Sequence, residues 1–258
     1  MHLRSLVLFL LLLIPGVCSA GTHRVVFVGD SITAANIYDG MIDPIIGGSI
    51  TGYAPKLISD FATLYPTHSF TGWNEGGNGY QTTQWVTMVT SHITSHTPDI
   101  VCIMLGANDA ALDVGISLSQ YETNLRSIIT QIQAWNIATK ILLLTPTPIY
   151  EGKNTSTRTS ARTTAYAQKV RDVVTSVGGN VSLVETSDLI IAHVSDNNYS
   201  DWWYTKYMTT GNHDDDDGIH PMQSGHNVIY NAVSSAISAI VNPAAITTSK
   251  ATVEASIE

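Results

Sequence analysis

Cysteine is nearly absent, with Cys18 and Cys102 the only two among 258 residues. Cys18 lies in an apolar N-terminal stretch that reads as a leader. The rest of the chain then holds one thiol and no internal disulfide, so its core must supply the stability. Basic residues are scarce too: 12 Lys and Arg against 21 Asp and Glu give a formal net charge of −9. No basic cluster appears, which argues against nucleic acid or an anionic membrane surface as a partner. Beyond the leader no hydrophobic run is long enough to span a bilayer, so no stable membrane anchor is expected.

The leader has a basic start at His2 and Arg4 and an apolar core from Leu6 to Ile14. Pro15 and Gly16 break it, and Cys18-Ser19-Ala20 offers small residues before a cut. The pattern predicts a secretory signal peptide over residues 1–20 and an extracellular or periplasmic product. Pro15-Gly16-Val17 fits a lipidation signal at Cys18 poorly. Removal leaves 238 residues, enough for one sizeable α/β domain. Asn154, Asn180 and Asn198 match the N-glycosylation acceptor pattern, which also arises by chance in a chain rich in Asn, Ser and Thr.

Strand-like and helix-like segments alternate. Arg24–Val28, Ser69–Trp73, Asp99–Leu105, Lys140–Leu144 and Val181–Glu185 read as strands, the third as a run buried on both faces of a parallel sheet. Tyr53–Tyr65, Thr82–His96, Ser119–Trp135, Thr163–Val177 and Ser224–Val241 read as helices with apolar stripes. Such alternation predicts an α/β fold, a doubly wound five-stranded parallel sheet in flavodoxin-like order with helices on both faces. Ligands then bind at the carboxyl ends of the strands. The domain is expected to span 21–242, with 243–258 a small-residue tail. Three long connections, Ala34–Gly52, Tyr150–Arg162 and Ser195–Asp216, are candidates for shaping a substrate site.

Four short patterns fall in the loops of this scaffold. Gly29-Asp30-Ser31 follows the first strand and Asn74-Glu75-Gly76-Gly77-Asn78-Gly79 the second. Gly106-Ala107-Asn108-Asp109 follows the third, and Asp217-Gly218-Ile219-His220-Pro221 precedes the last helix. Together they hold what acyl transfer needs. Ser31 is the candidate nucleophile, and a hydroxyl needs a base. His220 is the candidate base, since a histidine titrates near neutral pH. Asp217, three residues earlier in what reads as a tight turn, would fix the imidazole tautomer. The oxyanion needs fixed donors, for which Ser31 and Gly76 N–H and the Asn108 amide are candidates, each worth roughly 2.7–4 kcal/mol in the transition state. Gly77 competes with Gly76 for that role.

In these blocks the chain resembles the SGNH (GDSL-type) hydrolases, named for Ser, Gly, Asn and His in separate blocks. Ser31, Gly76, Asn108 and His220 stand in that order, and Asp217 matches the Asp-x-x-His pair. Ile32 departs mildly from the Leu of the name. The resemblance spans residues 24 to about 241. It implies the SGNH fold, a flavodoxin-like three-layer α/β/α sandwich. It also implies hydrolysis of carboxylic esters without metal or cofactor, by enzymes that include lipases, arylesterases, thioesterases and carbohydrate deacetylases.

Other residues have plainer readings. Asp30 and Asp109 are expected to brace their turns. Asp214–Asp217, with His213 nearby, reads as a solvated acidic loop, as a calcium site, or as one catalytic carboxylate among surface charges. His92 and His96 lack an evident partner carboxylate and read as solvent-exposed rather than as zinc ligands. Trp202 and Trp203, with Tyr204 and Tyr207, are candidates for a sugar-stacking platform as well as for the core. Tyr38, in the Ile-rich loop after Ser31, is a third candidate substrate contact. That loop reads as an acyl pocket, a lid or plain packing. The expected function is a secreted serine esterase on short, acetyl-type esters of carbohydrate. A lipase or arylesterase, and a non-catalytic carbohydrate-binding module on the same fold, are the alternatives.

Overall fold

The computed structural model describes residues 21–40, 43, 48–113, 115–149, 158–196, 203–205 and 216–242, and for 194–196, 203–205, 216 and 217 the backbone alone. The expected signal peptide, the tail, Trp202, Tyr207, His213–Asp215, Asn154 and Asn198 lie outside the described residues.

Five parallel strands form the central sheet: β1 (Thr22–Gly29), β2 (Ser69–Asn74), β3 (Ile100–Met104), β4 (Lys140–Leu144) and β5 (Val181–Val184), in the order β2-β1-β3-β4-β5. The period of two, with both faces covered, explains why β3, β1 from Val25 on and β4 from Ile141 on are apolar runs. Val25, Phe27, Cys102, Met104, Leu142 and Leu144 feed one core, and Val26, Val28, Val101, Ile103, Ile141 and Leu143 the other.

Helices α2 (Tyr53–Leu64) and α7 (Gln223–Val241) close the first core with Leu57, Phe61, Ile229 and Val233. Helices α3 (Thr82–Met88), α4 (Leu118–Trp135) and α5 (Ser160–Val177) close the second with Trp85, Leu125, Ile128 and Val170. Side-chain caps start two of them, Ser117 on α4 and Thr159 on α5, each worth about 1 kcal/mol. The α/β/α sandwich expected from the sequence is therefore present. Parallel pairing leaves Gly29, Asn74, Met104 and Leu144 at one edge, where the functional loops begin.

Four features depart from the sequence reading. The helix expected over Thr82–His96 is α-helical only to Met88, continues as a π turn over Val89–Ile93 and ends in a 3-10 turn, Thr94–His96. Thr97, at φ 49 before Pro98, stops it. A one-turn helix α1 (Ser31–Ala34) follows β1 directly. Helix α6 (Ser187–Asp196) had no counterpart in the sequence reading, because Leu189, Ile190 and Ile191 are contiguous instead of helically spaced, and of the three only Ile190 is buried. Finally, β6 (Trp203–Thr205) pairs antiparallel with β7 (Asp216–Pro221) in a ribbon outside the main sheet. Asn180, one of the three acceptor asparagines, donates from its amide to the Ile137 carbonyl at 2.7 Å and accepts from Lys140 Nζ, so it pins the start of β5.

Candidate active site

The site grows from the end of β1. Gly29 is crowded: a Cβ there would lie 2.0 Å from Thr33 Oγ1 and 2.8 Å from the Met104 carbonyl oxygen. Its own carbonyl accepts from the Trp85 indole at 3.1 Å and from the Gly77 N–H at 3.2 Å. Asp30 then caps α1, accepting from the Ile32 N–H at 3.0 Å. Burial pushes the Asp30 carboxyl up to about 6, partly offset by that hydrogen bond and by the nearby His220 and Arg158. Its geometry is that of the turn brace expected from the sequence. Ser31, the first helical residue, is 8% exposed, and its N–H has no acceptor within the helix.

Ser31 Oγ lies 2.7 Å from His220 Nε2, across 189 residues of chain. His220 stands on β7, which packs against α1 and α7. The expected tight turn from Asp217 to His220 is a strand instead. In a regular strand residues three apart face opposite sides. Gly218 at φ 66 and the irregular β6–β7 register break that alternation between Asp217 and His220. The side chain of Asp217 lies outside the described residues, as does that of Trp203.

Asn108 follows β3 and is half-buried. Its Nδ2 donates to the Tyr80 carbonyl at 3.1 Å, and its Oδ1 accepts from Arg158 Nη2 at 3.0 Å. Arg158 Nε also donates to the Ala107 carbonyl at 3.1 Å. Arg158 was read only as part of a polar connection; an arginine two residues before the start of α5 was the one sequence signal for it.

Gly76 requires a correction. Its N–H donates to Asn74 Oδ1 at 3.1 Å, while Asn74 Nδ2 donates to the Thr33 carbonyl at 2.9 Å. A Cβ on Gly76 would sit 2.2 Å from the Ala34 backbone nitrogen. Gly76 thus serves the close seating of the loop on α1, with its donor engaged there. Gly79 differs: at φ 76 it has nothing within 4 Å of a built Cβ. Its N–H meets no acceptor among the described residues. It adjoins Tyr80, whose carbonyl Asn108 holds.

Tyr38 also requires correction as a substrate contact. It is 1% exposed, in a small cluster with Ala35, Ile50 and Met222. Its ring stands edge-to-face with His220 at 6.3 Å and with His226 at 4.8 Å between centroids. His226 is buried, accepts from the Tyr53 N–H at 3.3 Å, and burial holds it down at about 3, so it is neutral. Asp109 accepts from the N–H and hydroxyl of Thr82, and burial pushes its carboxyl up to about 6 against those bonds.

The pair His92 and His96 does have a carboxylate partner. Glu75 meets His92 Nδ1 at 2.8 Å and His96 Nε2 at 2.7 Å, tying the loop after β2 to the π turn and the 3-10 turn that follows it. Among the described residues no group of three or more His, Cys, Asp or Glu could hold a metal ion.

A family model described as GDSL-like Lipase/Acylhydrolase matches residues 27–228, most of the chain. The chain belongs to that family. A GDSL esterase/lipase of Arabidopsis thaliana is 26% identical over 236 residues, covering 82% of this chain and 84% of that protein. Among solved structures, Axe2, an acetylxylan esterase from Geobacillus stearothermophilus, has a TM-score of 0.64 at 20% identity, covering 83% of this chain and 94% of that one. The lipase/acylhydrolase of Enterococcus faecalis has a TM-score of 0.62 at 21% identity, covering 83% and 95%. At such identities the structural likeness speaks for the fold. As a member of the GDSL family the chain is a carboxylic ester hydrolase with an SGNH-type fold, and its substrates are esters. No described helix is long and apolar enough to cross a membrane.

Proposed function

We propose that the chain is a secreted serine esterase that removes short acyl groups, chiefly acetyl, from carbohydrate, with Ser31 as nucleophile, His220 as base and Asp217 orienting the imidazole. The observation that carries the chemistry is the 2.7 Å approach of Ser31 Oγ to His220 Nε2. The hydroxyl gives its proton to Nε2 as Oγ bonds to the ester carbonyl carbon. Donors for the resulting oxyanion are the Ser31 N–H, the second N–H of the Asn108 amide and, in place of Gly76, the Gly79 N–H. The imidazolium then protonates the departing alcohol, and a water activated by His220 releases the acid and frees Ser31.

The substrate lean is supported by the weakly charged surface, the leader and the likeness in fold to an acetylxylan esterase. A lipase or arylesterase is the second reading, favoured by the esterase/lipase name of the plant relative. Nitrophenyl esters of graded chain length test both. Acetyl should be the best substrate, and rates rising beyond about eight acyl carbons would assign the lipase reading. Ser31→Ala should abolish hydrolysis with an unchanged thermal melt; full activity in that variant would remove the nucleophile from Ser31.

A further inference from the structure

We propose that Arg158 is a positioning residue for the oxyanion site, acting through the Asn108 amide. The proposal rests on the esterase reading above and adds a residue to it.

An Asn side chain has two N–H donors and two acceptor lone pairs. One Asn108 N–H is engaged by the Tyr80 carbonyl, and Oδ1 is engaged by Arg158. That leaves one N–H for a ligand. Arg158 makes this arrangement one-way, because a guanidinium has donors only, so the atom of the Asn108 amide facing it must be the acceptor Oδ1. Its Nε meanwhile holds the Ala107 carbonyl, so one planar group grips both the peptide before Asn108 and the Asn108 side chain. An ammonium cannot copy that fork. A cation on the amide oxygen also draws electron density from the amide, which strengthens the remaining N–H as a donor to developing negative charge.

Arg162, one turn along, provides an internal comparison. Its Nε donates to the Ala110 carbonyl at 2.8 Å, so it braces the same loop by backbone. Its other contact is Tyr166, not Asn108. Loop bracing is shared by the two arginines, and contact with the Asn108 amide belongs to Arg158.

The test is steady-state hydrolysis of 4-nitrophenyl acetate by the whole chain carrying Arg158→Ala, Arg158→Lys, Arg162→Ala, Asn108→Ala and the Asn108→Ala/Arg158→Ala pair. Arg158→Ala should lower kcat by about 10- to 100-fold and change KM by less than about threefold, since the loss falls on the transition state. Arg158→Lys should recover little of it. In the Asn108→Ala background the same change should cost less than about threefold, because its target is gone. Arg162→Ala should keep its full effect in that background. Equal losses from Arg158→Ala in both backgrounds would overturn the proposal, as would a kcat within about twofold of the parent. If Arg158→Ala does not fold, Arg158→Lys in both backgrounds carries the same cycle. The esterase reading fails on its own signs, an inert parent or a fully active Ser31→Ala, and the proposal would then fall with it.

Discussion

Ser31 and His220 touch, yet the two halves of the site are held by unlike means. The Ser31 turn is locked into the main sheet: the Gly29 carbonyl takes two donors, Asp30 caps the helix, and Gly76 presses on the α1 backbone. His220 arrives on a two-stranded ribbon outside that sheet, backed by the small cluster around Tyr38 and Met222. Ser31 is thus positioned by the global fold, and His220 by a local accessory. Local openings should therefore displace His220 before they disturb Ser31.

The sharpest way to break this comparison is on the ribbon. Asp217→Asn should cost about 10⁴-fold in kcat with an unchanged melt, while Asp216→Asn should cost little. Steady-state rates check both, and reversed effects would move the orienting role to Asp216. On the sheet side, changes should instead strike stability. Gly76→Ala places a Cβ 2.2 Å from backbone and should cost more than about 3 kcal/mol. Gly79→Ala, strained at φ 76 but in open space, should cost about 1–2 kcal/mol. Denaturant titrations compare the two.

The smallest effect concerns pH. Asp109 has a raised carboxyl pKa in the folded state, so folding favours its protonated form, and its contribution is lost as pH rises from about 4 through about 6. Over that window the parent should lose stability relative to Asp109→Asn, as urea midpoints at several pH values will show. A constant difference would mean that Asp109 titrates alike in both states.

Legibility followed locality. The strands β3 and β4 were plain because burial on both faces makes β3, and β4 after Lys140, continuously apolar, and the fold class followed from their alternation with striped helices. The pairing of Ser31 with His220 was readable from short motifs, although the sequence placed both in loops and the structure puts them on α1 and β7. The ribbon was not, since pairing of residues 203–205 with 216–221 depends on register across a long connection. The engagement of the Gly76 N–H also escaped the sequence: spacing from Asn74 says nothing of where a backbone N–H is already bonded. Tyr38 looked like a substrate contact because its loop is long, Ile-rich and follows Ser31, whereas a three-residue satellite core buries it. Arg158 carried no motif at all; its meaning arises from what β3 and α5 bring together.

Cys102 has a use that its burial creates. It sits at 0% exposure in the middle of β3, within the core closed by α2 and α7, and burial pushes its thiol well above the ordinary range. Residues 21–258 contain no other cysteine. An alkylating reagent can reach it only when the central strand opens, so its labelling rate in native buffer becomes a clock for whole-domain unfolding, read by mass and independent of any optical signal.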